Sequence, residues 1–267
     1  MIYILFLLLG MGVGLIGGYF GIAGGAILVP ILTAYYISRG IDIDIVATTA
    51  FGTSLFTGIF LTGASAFKQW KQKNILLSLI MWLVIGALIG APGGSFLGST
   101  LQGSVLIKAF GVLIVLMAFN IAFSKKTYED KCEAIVLSGS RRFALVSIGF
   151  AAGLIGATFG LGGGILLIPA LLLCKYPAGK VSGTSAMVAF FVSLSGVVGY
   201  QMFGTLRAID EPGFLGVVDL KLGIPLAIGV VLTAPIGAKL NKRFGGGAYQ
   251  KAFALLLFAI GIRMFLT

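Results

Sequence analysis

The residues of this chain best placed to do chemistry carry no charge. They form two glycine runs, Gly-Ile-Ala-Gly-Gly at 21–25 and Gly-Leu-Gly-Gly-Gly at 160–164, each followed by a proline, Pro30 and Pro169. Glycine reaches backbone angles closed to other residues, so each run can end one helix and begin another. A helix start exposes unpaired N–H groups at the positive end of the dipole, and such an end holds an anion without a buried cation. The residues in this reading are Gly21, Ala23, Gly24 and Gly25, then Gly160, Gly162, Gly163 and Gly164. Hydroxyls recur behind them, as Thr53-Ser54 and Thr184-Ser185 in repeated Gly-Thr-Ser triplets, flanked by Thr48, Thr49, Thr57 and Ser182. A hydroxyl donates to an oxyanion without carrying charge; its other habit in a helix is to bond back to its own carbonyls. Asn120, Gln201, Tyr19 and Thr158 are further polar candidates. Glycines also let helices pack closely, the usual meaning of a lone pair. A motif of this length present twice favours a site.

Catalysis has no such material. Histidine is absent, and all eight acids, from Asp42 to Asp219, fall outside the apolar runs. An intramembrane enzyme would need paired aspartates, a metal-binding helix or a serine with its base. The sequence therefore predicts no catalytic residue, no metal site and no cofactor. Cys132 and Cys174 cannot make a disulfide framework; they read as a loop thiol and a small apolar residue at a helix end.

The elements that must position these glycines are membrane helices. Of the 267 residues 58% are hydrophobic and 10% charged, with mean hydropathy +1.10, where a soluble domain carries about 25% charge. Such a chain cannot build a polar shell. The net charge of +11 sits in short loops between apolar runs, which fits the positive-inside rule and not nucleic-acid binding. The opening segment "MIYILFLLLG" lacks a basic n-region and reads as a first membrane segment, not a removable signal.

The chain is also a duplication. Gly14–Pro30 aligns with Gly153–Pro169 at an offset of 139, with ten of seventeen positions identical, and the "GTS", "AP" and "KAF" pairs follow in the same order. The halves are 1–123 and 143–267, joined by a polar linker at 124–142. Apolar segments run at 2–17, 24–37, 46–67, 75–97 and 104–123, then at 143–158, 163–174, 180–203, 222–240 and 248–266. The last three of each half suit a bilayer, which takes about 20 helical residues. The first two are short, either thin spans or half-helices that dip in and leave on the same side. Both choices put fourteen Lys and Arg, the linker's included, on one face and Arg39, Lys108, Arg207, Lys221 and Arg263 on the other. Lys108 and Lys251 read as snorkelling side chains. The richer face is cytoplasmic, so both termini lie outside and the halves are inverted copies. The expected fold is an all-α integral membrane protein of two inverted-topology repeats, each a glycine-broken short helical pair followed by three transmembrane helices. Glycine-interrupted segments at matching places in inverted repeats point to a transporter's binding site.

"FGIAGGAILVP" and "FGLGGGILLIP", each followed by a Gly-Thr-Ser helix, resemble the sulfite exporter family TauE/SafE over essentially the whole chain. The resemblance implies an inner-membrane permease for sulfite, sulfonates and other sulfur-containing or organic anions, often exported. The first copy departs by placing Ala23 where the second has Gly162, so the half-sites need not be equivalent. An anion channel and a proton- or sodium-coupled uptake carrier are the alternatives. No Asp, Glu or His lies within an apolar run, so the sequence predicts no proton-binding site in the protein and a flux driven by membrane potential. The expected partners are a small anion and the lipid bilayer.

Overall fold

The computed structural model describes residues 2–20, 24–123, 139–244 and 247–266. Each half supplies five helices. The first has α1 (Ile2–Phe20), α2 (Gly25–Ser38), α3 (Ile43–Lys71), α4 (Leu77–Thr100) and α5 (Gly103–Phe123). The second has α6 (Gly139–Thr158), α7 (Gly164–Leu173), α8 (Ala178–Phe203), α9 (Leu220–Phe244) and α10 (Gly247–Leu266). The loop before α9 holds a 3-10 turn at Thr205–Arg207 and a two-stranded antiparallel ribbon, β1 (Phe214–Leu215) with β2 (Val218–Asp219). The sequence showed no sign of that ribbon. Its strands are two residues each, too short for an alternating pattern to show.

Among the described residues six helices are long and apolar enough to cross a membrane: α3, α4, α5, α6, α8 and α9. The protein is an all-α membrane protein. The twenty-residue α6 reaches span length because it starts early, at the polar Gly-Ser-Arg-Arg of 139–142. There the guanidinium of Arg142 lies 5.3 Å from the centre of the Trp82 ring.

Packing exchanges elements between the halves. α1 lies along α9, and α6 along α4. In the first pair Gly10, Gly14 and Gly18 face Leu226, Val230 and Ala234, so the two helices run parallel. In the second, Gly86, Gly90 and Gly94 of α4 face Val146, Phe150 and Leu154 of α6, again parallel. At each of these glycines an added Cβ would run into the neighbouring backbone. Burial against lipid-like surroundings supplies little net drive between membrane helices, so close backbone approach does the work. Hydroxyls reinforce it: Thr158 donates to Gly94 O at 3.1 Å and Thr233 to Met11 O at 2.7 Å.

Matching helices of the two halves cross antiparallel. Leu55 of α3 meets Gly196 of α8, Gly63 meets Phe190, and Gln69 meets Gly183. Likewise Gly111 of α5 meets Phe265 of α10, while the Phe119 and Phe258 rings sit 5.7 Å apart. The loops sort to two ends. Arg207 pairs with Asp44 at 3.7 Å and donates to Leu101 O, gathering 39–42, 101–102 and 204–219 at one face. Leu76 bonds Thr184, and Lys68 reaches Pro235 O, gathering 72–76 and 174–177 at the other.

Candidate functional site

Both glycine runs become the structure that their sequence suggests, a helix start in the protein interior. Gly24 and Gly163 precede α2 and α7 at nearly the same angles, φ 74°, ψ −16° and φ 74°, ψ −17°. That left-handed conformation costs other residues about 1–2 kcal/mol. The first hydrogen bonds of α2 run from Ile27 and Leu28 to Gly24 O, both at 3.0 Å. Those of α7 run from Leu166 and Leu167 to Gly163 O, both at 3.1 Å. Among the described residues, the N–H groups of the first two residues of each helix, Gly25 and Ala26 or Gly164 and Ile165, take no part in these first helical bonds.

The two starts lie deep. Gly24 is against Leu61, and Ser54 donates to Gly160 O at 2.9 Å. Ser54 stands eleven residues into the 29-residue α3, about 17 Å from its nearer end at 1.5 Å per residue. The turns of the short pairs thus lie partway along α3, well inside the bundle. The hairpins also touch. A Cβ on Gly25 would collide with Gly160 O and fall 2.9 Å from Leu161 Cα. The start of α2 therefore lies directly on the turn of the other half. Gly160 itself has φ +68° and leaves no room beside Phe51 Cα. Phe51 stacks on Phe110 at 6.2 Å and meets the edge of Phe159 at 6.3 Å, walling this side with aromatic rings.

The other expected residues are placed as follows. Gly162 is buried in the second turn with φ +66°, its N–H bonded to Gly156 O at 3.2 Å. Ser185 donates to Gly164 O at 3.0 Å. Both serines thus tie the glycine turns to the long helices. The threonines do something else. Thr53 accepts the N–H of Asp219 at 3.0 Å and Thr184 accepts the N–H of Leu76 at 3.0 Å. Each stitches the start of the other half's fourth helix to a third helix. A buried N–H without its acceptor costs about 1–3 kcal/mol. Gly21 and Ala23, with the side chain of Tyr19 and linker residues 124–138, lie outside the described residues. Asn120 is exposed on α5, away from the turns, while Gln201 holds Leu215 O of the ribbon.

Sequence reasoning missed two groups. Thr33, Ser99 and Ser193, with Thr49, are buried hydroxyls with no hydrogen-bond partner among the described residues. Thr33, Ser99 and Ser193 fall outside the repeated Gly-Thr-Ser triplets, so no repeat singles them out. The second group is Asp219, 4% exposed and the one acid or base in the buried set. It directly precedes α9 and reads as a loop residue. Its carboxylate accepts the Tyr36 hydroxyl at 3.0 Å and the Leu222 N–H at 3.1 Å, capping α9. Asp219 lies outside the apolar runs, as the sequence reading has it, but is buried all the same, because a ribbon folds it under the ends of α2 and α3.

Comparison with known proteins agrees with this architecture. The chain is 30% identical to a probable membrane transporter protein of Methanocaldococcus jannaschii, over 98% of this chain and 95% of that one. A probable membrane transporter protein of Haemophilus influenzae is 27% identical over 98% of both chains. Another, from Bacillus subtilis, is 23% identical over 99% and 97%. No solved structure matches it. The family model for the sulfite exporter TauE/SafE matches residues 6–264. With two dipping hairpins inside a bundle of apolar helices, this chain is a membrane transporter and belongs to the TauE/SafE family.

Proposed function

We propose that the protein carries small anions, sulfite-like, sulfonate or carboxylate, and binds them at the N-termini of α2 and α7. The observation that carries this reading is the meeting of two glycine-capped helix starts at mid-depth, α2 lying on the Gly160 turn. Free N–H groups and the dipole's positive end favour negative charge there. Among the described buried residues Asp219 is the one carboxylate and no Lys or Arg is present, so the positive charge that such an anion meets comes from backbone. The antiparallel crossing of α3 with α8 and of α5 with α10 supports the inverted-repeat reading. Inverted repeats around a central site suit alternating access. A panel of sulfite, sulfate, thiosulfate, a sulfonate and a small carboxylate, tested for flux in proteoliposomes, should yield at least one saturable substrate. Flux of none, or equal flux of anions and neutral solutes, sinks the reading.

The fourteen-to-five split of Lys and Arg supports a reading in which the face of 72–76 is the cytoplasmic side of a cell's inner membrane and both termini lie outside. Export is the direction that family and membrane potential favour. A single cysteine at Asp210 should react with an impermeant thiol reagent in intact cells, and one at Gln72 should stay protected. The reverse pattern inverts the topology.

A further inference from the structure

The two ends of the molecule are closed by matching bonds that differ in one respect. At one end Thr184 takes the N–H of Leu76, whose apolar side chain carries the contact no further. At the other Thr53 takes the Asp219 N–H, and the Asp219 carboxylate goes on to hold Tyr36 near the end of α2. Asp219 thereby joins α2, α3 and α9, elements of both halves, at a point 4% exposed. We infer that Asp219 is a proton-binding site that gates this face. With a proton on it the carboxyl stays buried and α2 stays tied to α9; without one, the charge draws water between them and the face opens.

Burial pushes the Asp219 carboxyl above its ordinary 3.8, against the pull of the Leu222 N–H, the Tyr36 hydroxyl, the Lys221 N–H and the Lys221 charge. Around it, α2 presents Tyr36, α9 presents Lys221 and α3 presents the uncharged Thr53. Arg207 and Asp44, at the same face, pair with each other. A carboxyl raised in the closed arrangement binds its proton more tightly there than when hydrated. Acid therefore favours the closed state, and opening grows as pH rises through that raised range. The proton is taken from and returned to one face, so none crosses the membrane. The gate presumes a carrier but no particular substrate, and its test needs no anion.

In full-length protein with Cys132 and Cys174 replaced by serine, a Thr57→Cys substitution places a thiol one turn deeper on α3 than Thr53. Its reaction rate with a small water-soluble maleimide, divided by the rate for free cysteine at the same pH, removes the thiol's own titration. This ratio should rise several-fold as pH climbs from the acid side through the range in which the raised Asp219 carboxyl loses its proton. With Asp219→Asn added it should stay flat at the acid level, and the same rise in both proteins overturns the inference. Tyr36→Phe keeps the cap on α9 and removes one donor to the charged form, so it should move the rise to higher pH. Lys221→Gln should move it the same way. A profile that neither change displaces also overturns the gate. An anion panel that fails while the profile stands removes the substrate assignment and leaves the gate.

Discussion

Leucine in place of Gly25 should abolish anion binding while leaving the protein able to insert. The reason is where its side chain must go. A Cβ at this position already runs into Gly160 O and Leu161, and Ser54 fixes Gly160 from behind. Neither neighbour is the movable tip of a side chain, so the turn must shift or the start of α2 must back away. Overpacking of this kind costs about 1–3 kcal/mol, and at about 1.4 kcal/mol per tenfold the upper end alone removes two orders of magnitude in affinity. The leucine also fills the space through which the N–H groups of Gly25 and Ala26 would face an anion. Gly12→Leu is the control, because nothing lies within 4 Å of a Cβ there. Thermal shift with a transported anion, read beside monodispersity in detergent, separates lost binding from lost fold. If Gly25→Leu does not fold, Gly25→Ala carries the same collision with less bulk. Wild-type affinity in these variants returns the motif to a packing role.

That comparison of Gly12 with Gly25 shows what the sequence could and could not tell. The duplicated motif located the two helix starts to within a residue, because glycine takes the backbone angles found at Gly24 and Gly163 without the strain other residues would bear. The ten helices follow the ten apolar segments for the same physical reason, hydrophobic length against bilayer thickness. The division of labour within the motif was not legible. Gly14 and Gly18 serve contact with α9, whereas Gly24 and Gly25 make the turn, and composition is the same in both roles. Nor does the sequence separate the two hydroxyls of each pair. Ser54 and Ser185 do reach the glycine turns, but as clamps on backbone carbonyls, and Thr53 and Thr184 close the ends of other helices. Asp219 stayed hidden because burial of a loop acid depends on a ribbon and on Tyr36, which lies 183 residues away.

Imposed membrane potential should set both the rate and the direction of net anion flux. The described buried residues offer one carboxylate and no Lys or Arg, and that carboxylate sits at one end of the bundle, beside the loop of 204–219, not at the glycine turns. A proton picked up there cannot follow the anion past the meeting point of the hairpins unless it leaves Asp219. Backbone dipoles hold the anion but do not neutralise its net charge, so the charge moves with the substrate. The potential supplies about 2.3 kcal/mol per charge per 100 mV. At roughly 150 mV, negative inside, a dianion gains about 7 kcal/mol on leaving, enough for a gradient of about five orders of magnitude. In liposomes with valinomycin and a potassium gradient, reversing the gradient should reverse net flux of a transported anion. A pH gradient without potential should change the rate through Asp219 and drive no accumulation. Accumulation that follows an imposed proton or sodium gradient and ignores the potential would replace this mechanism with ion coupling, and Asp219→Asn would then show whether the proton travels on that carboxylate.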